Sequence, residues 1–298
     1  MTDRAIRLSP VELLAAWEAL DLGDPPFLLR LRRPAGTEAG RREAHRQLRA
    51  ALAELAARGL ASRRLADGRL TDRGLADYGL ADRGLADRGL ADYGLADYGL
   101  AAPLVGALDV LGRAPYHLDV RFAGPDGRPR LGLGAQLGAR GVVVLSADGV
   151  GPVELITLDA SRVPSTLISQ LGPVRAGTAA PVNLPAGLLT EAAGAVPDGN
   201  PWALADRLVA NGVPPVEAAA VARVCAPNDL AGQLGATSRG ERGIPQRRGP
   251  WVIGFVRTAS GYFLQLRRGN TVTMGPADPA RLLRHWAELV AHLPAPAH

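Results

Sequence analysis

The 298-residue chain reads as an α+β protein: a central, mostly antiparallel sheet built from two quasi-repeated meanders and flanked by helical bundles. Three observations predict it. The last fifty residues hold three short apolar runs separated by tight polar turns, followed by one helix with an encoded start. A similar succession of strand candidates and a closing helix begins at His117. The stretches before and between these meanders carry helical spacing of apolar residues instead of alternation.

In chain order, Ser9-Pro10-Val11-Glu12 fits a capping box, because the Ser9 hydroxyl and the Glu12 carboxylate can satisfy opposite backbone donors and Pro10 suits the first helical position. Val11, Leu14, Trp17 and Leu20 form its apolar stripe. Gly23-Asp-Pro-Pro26 stops that helix, and Phe27–Leu31 is expected to be the first strand. Arg41 to Arg58 resumes helical periodicity through Leu48, Leu52 and Leu55 and ends at Gly59.

Gly74 to Tyr98 then consists of five copies of Gly-Leu-Ala-Asp-(Arg/Tyr), with looser copies from Gly59 and Gly99. At 100° per residue a period of five turns the leucines by about 140° per copy, so they spiral instead of forming a stripe. Each interior glycine costs about 1 kcal/mol against alanine in a helix. A pentapeptide-repeat solenoid would point Arg83 and Arg88 inward, which is costly without partners. Residues 59–101 are therefore expected to be an expanded, tolerant linker with frayed or extended helix, inserted in a single domain spanning 1–298. Helix returns at Leu104, Leu108 and Leu111.

His117–Phe122, Arg130–Gln136, Gly141–Leu145 and Val153–Leu158 are strand candidates, closed by Leu167, Ile168 and Leu171 in a short helix. Pro173 to Pro227 is rich in alanine, proline and glycine, and its segments Leu184–Leu189, Pro201–Val209 and Val216–Val224 predict a small helical bundle. Trp251–Arg257, Tyr262–Arg267 and Asn270–Met274 form the second meander. Asp278 caps the last helix, Pro279 opens it, and Leu282, Leu283, Trp286, Leu289, Val290 and Leu293 recur at helical spacing. The words Ala135-Gln-Leu-Gly-Ala139 and Gly232-Gln-Leu-Gly-Ala236 suggest that the two halves arose by duplication.

Composition bounds the function. At 47% hydrophobic the chain can bury a core, yet no run approaches the roughly 18 to 20 apolar residues of a membrane span, and Met1–Arg7 lacks an apolar signal core, which places the chain in the cytosol. The lone Cys225 lies in an apolar helical run and is expected to be a packed thiol. All 34 basic residues are arginine, as GC-rich codons favour. Seven of them fall between Ser238 and Arg268 against Glu241 alone, and are read as edge-strand and loop charge that deters aggregation.

No catalytic set emerges. His45, His117, His285, His292 and His298 are scattered without metal-ligand spacing. Ala236-Thr-Ser238-Arg-Gly240 is an imperfect nucleophile elbow among glycine-rich loop residues, and Gly132-Leu-Gly134 continues to Gly138, one residue too far for a dinucleotide fingerprint. The sequence thus predicts no enzyme, no metal and no cofactor. A winged-helix DNA-binding regulator is the rival reading, since Leu52 to Leu70 could supply a helix and Asp67-Gly68-Arg69-Leu70 a wing, and the pI is near 10.1. A structural interaction protein without a dedicated client is the other.

The opening Ser9 to Leu31, the helix end Leu52 to Gly59, Asn211-Gly-Val-Pro-Pro-Val-Glu217, Gly232–Ala236, Val252 to Gly275 and Ala277–Leu282, in that order, resemble the EspG family of type VII (ESX) secretion-associated proteins. The family's hairpin usually reads more like Asp-Thr-x-x-Gly-Arg-Tyr, where this chain has Arg257-Thr-Ala-Ser-Gly-Tyr262, and the pentapeptide repeat is extra. The resemblance implies a cytosolic chaperone that shields the apolar tip of a helical-hairpin client, a PE–PPE-like heterodimer or another ESX substrate, before export. By the same analogy, binding falls to the hairpin loop Pro125, Asp126, Gly127 and Arg128 and to the bundle around Leu204, Leu208 and Val216.

Overall fold

The computed structural model describes residues 5–31, 38–63, 98–147, 151–196, 199–239 and 246–294. Its elements are β1 (Ala5–Leu8), α1 (Pro10–Ala19), α2 (Glu38–Ala57), β2 (Ala61–Arg63), β3 (Tyr98–Leu100), α3 (Ala102–Arg113), β4 (Tyr116–Ala123), β5 (Pro129–Leu137), β6 (Arg140–Ser146), β7 (Val153–Asp159), α4 (Val163–Ser169), β8 (Val182–Pro185), α5 (Ala186–Gly194), α6 (Pro201–Ala210), α7 (Pro215–Val224), β9 (Asn228–Ser238), β10 (Arg247–Arg248), β11 (Ile253–Thr258), β12 (Gly261–Arg268), β13 (Thr271–Pro276) and α8 (Pro279–Ala291). None of the described helices is long and apolar enough to cross a membrane.

The encoded starts and stops are present. The Ser9 hydroxyl accepts from the Glu12 amide at 3.2 Å and Glu12 Oε2 accepts from the Ser9 amide at 2.7 Å, completing the capping box. Glu12 also pairs with Arg58 at 2.6 Å, joining the start of α1 to the end of α2. There Gly59, at φ +70°, lets the Leu60 amide reach back to Leu55 O at 2.8 Å, closing α2 in a left-handed cap. Asp278 Oδ1 accepts from the Arg281 amide at 2.7 Å at the start of α8.

Eleven strands form one sheet in the order β1-β7-β6-β5-β4-β9-β11-β12-β13-β8, with β10 attached to β9, and all its ladders are antiparallel. With β2, β3 and β10 set aside, the order β-α-α-α-β-β-β-β-α occurs through β1, α1–α3, β4–β7, α4 and again through β8, α5–α7, β9, β11–β13, α8. The leading meander strands β4 and β9 lie side by side and antiparallel. The two shared words are not counterparts, however: Ala135–Ala139 runs from the end of β5 into its turn, whereas Gly232–Ala236 lies inside β9.

Register carries one face of the sheet from strand to strand. Leu131, Arg121, Gln233, Gly254, Gln265 and Met274 face each other in a single row across β5, β4, β9, β11, β12 and β13. Helices α1–α3 pack over one end of this face with Leu131, Leu133, Val142 and Val144. Helices α5–α7 pack over the other end with Phe263, Val272 and Met274. The opposite face is covered by α4 and α8, around Leu118, Val120, Phe255, Leu264 and Trp286. Gly132 and Gly134 serve this second layer: a Cβ on Gly134 would lie 2.8 Å from Leu167 Cδ1, so α4 rests directly on the β5 backbone.

Several expectations are corrected. Phe27–Leu29 is a short 3-10 turn, because Leu28 and Leu29 are both buried, which no one-sided strand allows; the first strand is β1, where Ile6 and Leu8 alternate with exposed Ala5 and Arg7. Leu184 belongs to edge strand β8, and α5 begins after it. Leu171 is buried just beyond α4. Val11 lies on the outer side of α1. Cys225 is exposed at the C-cap of α7, where the apolar run stops being helix, with partial desolvation raising its thiol pKa. Ser238 lies on β9, not in a loop.

Of the arginine-rich stretch, Arg257, Arg267 and Arg268 lie on the interior strands β11 and β12, whereas Arg247 and Arg248 form β10, which pairs with β9 alone; the strand order ends at β1 and β8. Three of the stretch's charges are paired within the fold: Arg257 forks onto Asp229 at 2.7 and 2.8 Å, Arg268 meets Glu288 at 2.6 Å, and Arg248 grips buried Asp119.

The pentapeptide repeat, with its linker, frayed-helix and solenoid readings, falls mostly on 64–97, outside the described residues. So does the supposed wing at Asp67–Leu70. What is described is the root: Ala61, Ser62 and Arg63 pair antiparallel with Leu100, Gly99 and Tyr98. On the inner side of α2, Leu52 and Leu55 are fully buried.

Candidate functional site

Between the two helical bundles the sheet is left uncovered. The row Arg121, Gln233, Gly254 and Gln265 spans this gap, with Leu131 disappearing under one bundle and Met274 under the other. Gln233 and Gln265 are exposed, and Arg121 and Gly254 half-buried. From β4 to β12 is three strand spacings, about 14 Å at roughly 4.8 Å each. A single α-helix with its side chains is about 10–12 Å across. The floor therefore accommodates one helix, or the tapering end of a helical hairpin.

On the next positions along the strands the floor becomes charged. Asp119, fully buried, accepts from Arg248 Nη2 at 2.9 Å and from Arg248 Nη1, while Arg121 Nε lies 3.5 Å away. Arg248 Nη1 also lies 3.3 Å from Thr237 Oγ1. The guanidinium thus crosses over Gly235, in space a Cβ would occupy. Beyond it His117 is buried, its Nε2 2.7 Å from the Leu111 carbonyl and its Nδ1 without a partner; burial lowers its pKa.

The loop singled out by sequence, Pro125–Arg128, joins β4 to β5. The Arg128 amide donates to Asp126 Oδ1 at 3.1 Å, and that bond, helped by Arg130 at 3.3 Å, holds the Asp126 carboxyl below the usual carboxylate range. Asp126, Arg128 and Arg130 also edge an open cavity of about 560 Å³ shared with Arg7, Phe122 and Glu154.

Chain direction relates this loop to the bundle. Ala123 pairs with Ala231 near the start of β9, and β9 follows the C-terminal end of α7, so loop and α7 terminus share one end of the sheet. Val216 sits at the other end of α7 and is 71% exposed. Leu204 and Leu208 are buried inside the bundle and meet no partner while it stays closed. The exposed apolar side chains on the same helices are Trp202 and Val209. Sequence periodicity marked the apolar stripe correctly but could not tell its inner from its outer members. The open floor was missed altogether, because it arises from residues on four different strands. Among the described residues no group of three or more His, Cys, Asp or Glu is arranged to hold a metal ion.

No curated protein matches the chain by sequence. The fold is that of a solved structure, the Mycobacterium tuberculosis type VII secretion system chaperone EspG5 in complex with the PE25–PPE41 dimer, with a TM-score of 0.66, 11% identity and coverage of 99% of both chains. The model of the EspG family matches residues 76–288. That match leaves out the opening helix and begins within the repeat, yet it takes in the β4–β5 loop, the uncovered floor and the α5–α7 bundle, and the chain belongs to the EspG family.

Proposed function

We propose that this chain is a cytosolic type VII secretion chaperone, without enzymatic activity, that shields the apolar tip of a PPE-like helical hairpin before export. The observation that carries this reading is the uncovered strip of sheet between the bundles, wide enough for one helix and bordered by the β4–β5 loop. A secreted hairpin with an exposed apolar tip would aggregate unless a complementary surface covered it. Trp202, Val209 and Val216 offer apolar contact at the outer side of the adjoining bundle. EspG5, whose fold this chain shares, is seen bound to a PE25–PPE41 dimer.

The test is co-expression with each PE–PPE-type pair or other small helical ESX substrate encoded beside this gene, followed by pulldown and comparison of client solubility with and without the chain. A stoichiometric complex and a more soluble client are expected. No complex with any of these proteins, together with tight, salt-dependent binding to duplex DNA, would favour the regulator instead.

A further inference from the structure

Resting on the chaperone reading, we infer that the uncovered floor reads acidic side chains on the client's tip through Arg121 and Arg267. Of the floor positions that face the bundles on β4, β9, β11 and β12, the acidic one is Asp119, and its carboxylate is already gripped by both terminal nitrogens of Arg248. The nearest approach of Arg121 to that carboxylate is through Nε at 3.5 Å, a nitrogen that is itself buried without a hydrogen bond, and its terminal nitrogens make no hydrogen bond among the described residues. Its side chain is 42% exposed. Arg267, two positions along β12 from Gln265, is exposed and likewise unpaired among the described residues.

The arrangement has a physical logic. Asp119 and Arg248 neutralise each other, so the pair adds no charge to the floor while holding Arg121 in place. Arg121 and Arg267 then stand near opposite walls, about 14 Å apart across the strands, with the uncharged Gln233 and Gly254 between them. A helix lying in this gap meets one guanidinium on each flank and a flat, hydrogen-bonding floor beneath. Carboxylates on the flanks of the client's tip match it, since guanidinium forks bind carboxylates in a fixed, often bidentate geometry. Charge matching of this kind sets partner choice and association rate more than total affinity.

The test uses the full chain and each PE–PPE-type pair encoded beside its gene. Affinity is measured at about 50 mM and about 500 mM salt for the parent, Arg121→Gln, Arg267→Gln and Arg121→Lys, with Trp202→Ala as an apolar control and thermal midpoints as a folding control. Each glutamine variant should weaken binding about five- to tenfold at low salt and less than about twofold at high salt, and the lysine variant should retain most of the affinity. Replacing the client's tip acids with asparagine should give no further loss once both arginines are glutamine. If a pair binds and the glutamine variants keep parental affinity at both salts with unchanged midpoints, acid recognition is wrong and the chaperone reading stands. If no pair binds the parent chain, the chaperone reading itself falls.

Discussion

Asp119 and Arg248 form a two-point ion pair on the face between the bundles, with a fully buried carboxylate and an Nη2–Oδ2 distance of 2.9 Å. Because Arg248 comes from the short strand β10 and Asp119 from β4, the pair ties β10 down across β9. A carboxylate taken out of water is tolerable only while its partner remains. Asp119→Asn leaves Arg248 half-buried and unbalanced, and is expected to cost about 3 kcal/mol. Urea unfolding of both proteins checks this, and Arg248→Leu in the Asp119→Asn background should recover part of the loss. Additive losses would mean the two residues act independently.

Trp202 and Leu208 lie on the same helix but ask different questions of it. Trp202 is 58% exposed, so Trp202→Ala should leave stability within about 0.5 kcal/mol while weakening client binding. Leu208 is fully buried, and Leu208→Ala should destabilise the chain by about 2–5 kcal/mol. Calorimetry alongside binding separates the two effects.

His117 gives stability a pH dependence. Its folded-state pKa lies below the ordinary 6.5 because burial penalises the imidazolium. As pH falls through 6.5 the unfolded chain takes up a proton that the folded chain refuses, so this contribution is intact above 6.5 and declines toward pH 5. His117→Gln should cost stability at pH 7.5 yet flatten the slope between pH 7 and 5. An unchanged slope in denaturant titrations at matched ionic strength would assign the acid sensitivity to other groups.

The repeat can be shortened. Arg63 pairs with Tyr98, so the ends of the segment are already held together by β2 and β3. Removing Gly74 to Tyr98 would take β3's first residue with it, whereas removing Gly74 to Tyr93 keeps the last copy and the pairing. Closure entropy changes slowly with loop length, and the thermal midpoint of the shorter chain should stay within about 3 °C of the parent. A drop beyond about 10 °C would mean that several kcal/mol of packing reside in the repeat.

The sequence by itself determined whatever depends on neighbours a few residues apart. Ser9 and Glu12 specify the start of α1, Gly59 the end of α2 and Asp278 with Pro279 the start of α8, because each cap is a contact between a side chain and amides one turn away. Seven of the sheet's strands were readable for the same reason, from short alternating or β-branched runs. Strands β1, β8, β9 and β10 were not: β1 and β8 are only four residues long and β10 only two, and β9 is glycine-rich, its Gly232 and Gly235 leaving room for Phe255 and Arg248. Only the tertiary structure decided which members of an apolar stripe face outward, as with Trp202 against Leu208. It alone also brought Arg121, Gln233, Gly254 and Gln265 into one row, since register between strands far apart in sequence is fixed by the packing of both faces of the sheet and not by any local word.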